Sequence, residues 1–203
     1  MSRTDCKDGL IVDTHGWCQG AGIVPSPNFD ARPADAEIDL LVIHNISLPA
    51  GQFGTPYIAD LFCNRLDHEA DPSFAQLRDL RVSSHFLIAR DGSLTQFVAS
   101  TARAWHAGLS SYRGRERCND FSIGIELEGS DDTAFADLQY HTLVQLTRAL
   151  QSAHPLRHVA GHEHIAPGRK TDPGPFFDWV RYRAGLAQYQ SSARANFPAL
   201  HFP

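Results

Sequence analysis

The apolar and polar positions alternate between two periods along this chain. Leu40-Leu41-Val42-Ile43 is an unbroken apolar run that stops at His44, the pattern of a central strand buried on both faces. Ser122–Glu128 keeps a period of two: Ile123, Ile125 and Leu127 share one face, and Gly124, Glu126 and Glu128 the other. Residues 84–89 and 94–98 flank Arg90-Asp91-Gly92-Ser93, and Asp-Gly between two such segments predicts a hairpin. A short strand is expected over residues 158–160. The helical period appears in residues 135–154, where Leu143, Leu146, Leu150 and Ala153 form one stripe. Thr55-Pro56 predicts a helix start, with threonine as N-cap and proline at the first helical position, followed by Ile58, Leu61, Phe62 and Leu66. Pro175 opens a last helix carrying Trp179, Tyr182 and Leu186. The first 39 residues are turn-rich, with Pro25, Pro27 and Pro33, and are expected to wrap the domain. The tail after Gln190 is expected to be loosely ordered. Strands interspersed with helices predict an α/β fold, a single domain with a central mixed sheet flanked by helices.

A length of 203 residues suits one domain with extensions, here an N-terminal extension over 1–25, a catalytic domain over 26–189 and a tail over 190–203. The net charge of −5 argues against nonspecific binding to nucleic acid or an anionic membrane. No apolar run is long enough to span a bilayer, and the N-terminus lacks the apolar core of a secretory signal. Cys6, Cys18, Cys63 and Cys118 contain no Cys-x-x-Cys pair and read as free thiols of a reducing compartment. Together these features predict a cytoplasmic protein.

The chemistry concentrates in the loop from Gly161 to Pro175, which holds His162, Glu163, His164, Lys170 and Asp172 between prolines and glycines. Imidazoles and carboxylates are ligands of catalytic zinc. His44 ends a predicted central strand, where sites of open α/β sheets gather. Two histidines and one carboxylate leave a fourth tetrahedral position open. His158 and His164 compete with His162 as ligands, and spacing alone leaves that choice open. Glu126 is the candidate proton-transfer carboxylate, with Glu128 its rival on the same strand face. Lys170 is one of only two lysines among 18 basic residues. Ammonium and guanidinium are not interchangeable, so a lysine retained here points to chemistry of its own.

Val42-Ile43-His44-Asn45-Ile46-Ser47, Ser84-His85-Phe86-Leu87-Ile88, Ala104-Trp105-His106-Ala107-Gly108, the stretch from Ile123 to Gly129 and the loop from Gly161 to Pro175 occur in this order. From about Ser26 to Trp179, this ordered set resembles the zinc N-acetylmuramoyl-L-alanine amidases, and in particular their cytoplasmic branch acting on 1,6-anhydro-muropeptides. The resemblance implies the fold shared with peptidoglycan-recognition proteins and one Zn²⁺ held by His44, His162 and Asp172. It implies Glu126 as the catalytic carboxylate and Lys170 as oxyanion stabiliser. Asn45, Arg81, Trp105 and Arg117 match substrate-cleft positions. It further implies a small muropeptide substrate, a monomer, and a role in peptidoglycan recycling that lowers β-lactamase-inducing anhydro-muropeptides. The cluster Arg113-x-Arg115-x-Arg117 suits the carboxylates of such a substrate. Two other readings compete: a muropeptide-binding module without catalysis, and a cysteine hydrolase using Cys63 or Cys118.

Overall fold

The computed structural model describes residues 9–193 and 197–203. Its six-stranded sheet contains β1 (Gly22–Ile23), β2 (Leu40–Ile46), β3 (Phe86–Ile88), β4 (Leu94–Gln96), β5 (Ser122–Glu128) and β6 (His158–Gly161), in the order β6-β2-β5-β3-β4-β1. All neighbours are parallel except the β3–β4 hairpin. The sheet is therefore mixed, as the strand pattern implied. β2 is apolar over its first four residues because it lies between two parallel neighbours, and Leu40, Leu41, Val42 and Ile43 are all fully buried.

The helices are α1 (Tyr57–Phe62), α2 (Asp137–Ala153), α3 (His162–Ile165) and α4 (Trp179–Ala193). Leu41, Ile43, Ile123, Ile125 and Leu127 face one side of the sheet. They meet Leu143, Leu146 and Leu150 of α2, and Tyr182 and Leu186 of α4. Ala153, placed in the predicted stripe, is exposed at the last turn. Gln139 fastens α2 to the sheet: its amide donates to Ile88 O and Glu128 O, and its oxygen accepts from Ala136 N–H. The opposite side of the sheet carries His44, Gly124 and Glu126.

The hairpin turn closes with Gly92 at φ 82° and Ala89 N–H donating to Ser93 O. Both terminal helices start later than expected. Pro56 is the cap residue of α1, and the Thr55 hydroxyl donates to Leu48 O instead of capping. Residues 174–178 form turns, and α4 begins at Trp179, not Pro175.

The two ends of the chain correct the expectation of loose wrapping. Near the N-terminus, Cys18 is buried in the main core, and its N–H donates to the side chain of the β4 residue Gln96. β1 then pairs with β4 as an edge strand. Cys6 and Lys7 lie outside the described residues. At the C-terminus, His201 extends the sheet beyond β6: its N–H donates to Arg157 O, and its carbonyl accepts from Val159 N–H. Phe202 packs its ring against Trp179 and Tyr182. Apolar contact and backbone pairing hold this end in place of the loose tail expected there. Phe202→Ala should destabilise the protein by roughly 1–3 kcal/mol, below the usual cost for a fully buried phenylalanine, in urea denaturation; a loose tail would leave the midpoint unchanged.

Candidate metal centre

Strand register brings the first two functional groups together. In the parallel β2–β5 pair, Glu126 lies directly beside His44, so both side chains leave the same face of the sheet. β6 pairs with the other edge of β2, with Gly161 beside Ile43. His162, the next residue, opens α3 one step further along, next to His44. The chain then turns back through the Pro167-Gly168 loop, and Asp172 O accepts from Glu163 N–H, which ties the returning segment to α3. Asn45 completes the tie: its amide donates to Asp131 Oδ1 at 2.7 Å and to Pro173 O at 3.1 Å.

His44 Nδ1, His162 Nδ1 and Asp172 Oδ2 form a triangle with sides of 3.0, 2.9 and 3.1 Å. Ligands about 2.0–2.1 Å from a tetrahedral zinc lie roughly 3.3–3.4 Å from one another, so the triangle needs only a small expansion. The donors also suit a cation. His162 Nε2–H donates to Ala107 O at 3.1 Å, which leaves its Nδ1 as a lone pair. Burial pushes the His44 imidazole down to about 4, so it is neutral at physiological pH. Among the described residues this is the one group of three such side chains able to hold a metal.

The rival histidines have other work. His164 Nδ1 accepts from Gly161 N–H, and its ring meets Trp179 edge-on. His158 packs against the rings of Tyr112, edge to face, and His201. Glu128 is likewise structural, accepting from Gly54 N–H and Arg90 N–H. Glu126 is 7 % exposed, and no hydrogen bond to its carboxyl is found among the described residues. Burial raises its pKa well above the ordinary value, Asp172 adds to the rise, and Lys170 opposes it.

These groups line one side of an open cleft of about 500 Å³. Lys170, Arg81, Trp105 and Asn45 line it too, and Leu61, Phe62, Leu77 and Leu80 form an apolar wall. A family model described as N-acetylmuramoyl-L-alanine amidase matches residues 34–175. The chain belongs to the N-acetylmuramoyl-L-alanine amidase family. It is 57 % identical over 170 residues to the 1,6-anhydro-N-acetylmuramyl-L-alanine amidase AmpD of Escherichia coli K12, covering 83 % of this chain and 93 % of that one. A crystal structure of a selenomethionine AmpD derivative superposes with a TM-score of 0.83 at 54 % identity, covering 87 % of this chain and 99 % of the other. The E. coli amidase AmiD, solved in complex with the substrate anhydro-N-acetylmuramic acid-L-Ala-D-γ-Glu-L-Lys, matches with a TM-score of 0.55 at 28 % identity, covering 87 % and 65 %.

In this amidase, Arg117 is absent from the cleft lining that the sequence assigned to it. Its backbone is left-handed at φ 60°, its side chain is 69 % exposed, and its Nε pairs with Asp120 at 3.3 Å. Arg115 is also committed, to Asp39 and to the face of Phe121. The cysteine reading finds no support, because burial raises the Cys63 and Cys118 thiols above their ordinary pKa. Sequence reasoning missed the apolar wall, the Ala107 carbonyl and Asn119, whose side-chain oxygen accepts from His106 N–H and Ala107 N–H. The apolar wall has a signal only in the α1 periodicity, which reads equally well as core.

An unpaired buried carboxylate lowers the stability of the amidase. The folded pKa of Glu126 exceeds the ordinary 4.5, so the penalty is absent in acid, where both states are protonated. It grows as pH rises through the ordinary glutamate range and the unfolded chain ionises first. Glu126→Gln should therefore stabilise the metal-free protein at pH 7 by about 0.5–2 kcal/mol, with little effect near pH 3. Thermal melts of both proteins at the two pH values measure this difference.

Proposed function

We propose that this amidase is zinc-dependent and cleaves the amide between the lactyl group of 1,6-anhydro-N-acetylmuramic acid and L-alanine in muropeptides. The observation that carries this reading is the convergence of His44, His162 and Asp172 with Glu126 and Lys170 in one cleft. The likeness to AmpD across nearly its whole length supports the anhydro-muropeptide as substrate. His44, His162 and Asp172 would hold the Zn²⁺, which supplies a Lewis acid for the scissile carbonyl and lowers the pKa of water toward neutrality.

The protein's own groups do the rest. Glu126 takes a proton from the attacking water and delivers it to the leaving alanine nitrogen. Burial raises its pKa above that of an ordinary glutamate, which favours its holding the proton between the two transfers. The Lys170 ammonium faces the negative charge that develops on the carbonyl oxygen. Arg81 offers a guanidinium to the substrate's carboxylates, and Trp105 an aromatic face to the sugar. Asn45 acts through the loop it ties to Asp131 and Pro173, so we assign it to positioning Asp172.

We place the enzyme in the cytoplasm as a monomer that recycles peptidoglycan fragments. No helix among the described residues is long and apolar enough to cross a membrane. Consumption of anhydro-muropeptides would lower the signal for β-lactamase induction in a host that has such a response.

Incubation with anhydro-muramyl tripeptide, followed by mass spectrometry, should show release of the free peptide. A chelator should abolish the release and Zn²⁺ restore it. Absence of cleavage by zinc-loaded protein would instead favour a binding module, and cleavage that survives full metal removal would rule out the zinc reading. Glu126→Ala should lower kcat by about 10²–10⁴, and Lys170→Ala by about 10²–10³, with the zinc content of both variants unchanged. Arg81→Ala should raise KM more than Arg117→Ala does, and equal effects in steady-state assays would remove Arg81 from the substrate site.

A further inference from the structure

His106 takes no part in the proton transfers above, yet it touches the metal centre. Its Nδ1 lies 2.9 Å from His44 Nε2, the ring nitrogen that faces away from the proposed metal. The two rings meet edge to face, with centroids 5.1 Å apart. The opposite nitrogen, His106 Nε2, lies 3.2 Å from Ser122 Oγ.

Donor and acceptor capacity fixes the direction of this chain. A serine hydroxyl has one proton, and Ser122 places it 2.6 Å from the Cys118 carbonyl, which can only accept. Ser122 Oγ must then accept from His106 Nε2–H. With its proton on Nε2, His106 presents a lone pair at Nδ1. That lone pair accepts a hydrogen bond from His44 Nε2–H, and His44 Nδ1 carries a lone pair at its corner of the ligand triangle. His162 needs no such relay, because the Ala107 carbonyl fixes its tautomer directly.

The sheet is built to admit this ring. A Cβ at residue 124 would lie 2.5 Å from His106 Cγ and 2.6 Å from its Nδ1. Gly124 sits in the middle of β5, and its φ is not left-handed, so backbone freedom does not explain a glycine there. Space does: a glycine within a strand marks close approach by another group.

We propose that His106, seated over Gly124 and oriented by Ser122, is the positioning residue that sets the metal-binding tautomer of His44. This inference rests on the metal reading above. Partners of this kind typically change metal affinity by about 10–100-fold when removed.

The direct test needs no variant. Nitrogen-15 spectra of the histidine rings in the metal-free protein should show both His44 and His106 protonated at Nε2. A His44 protonated at Nδ1 would overturn the proposal, and this readout stands even if the protein binds no zinc. The second test is zinc affinity by chelator competition. His106→Phe keeps the ring volume and loses the acceptor, so zinc should bind about 10–100-fold more weakly. His106→Gln offers a carbonyl acceptor to the same proton and should retain most of the affinity. A space-filling role predicts the reverse ranking. Gly124→Ala, which displaces the ring, should resemble His106→Phe. If His106→Phe does not fold, Ser122→Ala replaces it: the protonated nitrogen of His106 should change and zinc binding weaken. Wild-type affinity in His106→Phe, Gly124→Ala or Ser122→Ala would sink the relay, whereas failure of the wild-type protein to bind zinc would sink the metal reading itself.

Discussion

The parallel pairing of β2 with β5 is the constraint on which the site depends. Its register sets Glu126 beside His44, and a slip of one residue in β5 would turn Glu126 into the α2 face of the core while His44 stayed on the other. That register is strongly held, because Leu41, Ile43, Ile123, Ile125 and Leu127 must stay together under α2 and α4. The apolar side of the sheet thus determines where the polar side puts its chemistry. β6 extends the same logic, delivering His162 to the end of the strand that carries His44.

Polar groups buried on that second face must find partners, and most do. His162 reaches a backbone carbonyl, His44 reaches His106, and Glu128 accepts two backbone N–H groups. Glu126 is an exception: at the edge of the cleft, no hydrogen bond to its carboxyl is found among the described residues. The three ligand atoms are a second local conflict, since electron-rich groups converge there. Both make sense if the fold spends part of its stability on a site completed by a cation, water and substrate.

The arginines illustrate how far composition misleads about a cleft. Arg113, Arg115 and Arg117 look like a carboxylate-binding cluster in sequence, but Asp39 and Asp120 already occupy the guanidiniums of Arg115 and Arg117. Arg81, an unremarkable residue between Leu80 and Val82, lines the cleft instead, as does Arg169. Pairing within the protein is set by loops distant in sequence, so no local pattern announces which cations remain for a ligand.

The sequence by itself determined the strand and helix pattern, the mixed sheet, and the family to which the chain belongs. These are local or ordered features: apolar periodicity follows from which face is buried, and the motif blocks keep their order along the chain. Periodicity did not reveal that both chain ends join the sheet edges, because β1 and the His201 bridge are too short to carry a period. Spacing left His158, His162 and His164 equivalent, and tertiary structure separated them. Only the register of β6 and the turn of α3 bring His162 next to His44, while His158 and His164 meet Tyr112 and Trp179 instead. The candidate site depends on distances from His44 to His162 and Asp172, more than a hundred positions away, and those distances exist only once the sheet has closed.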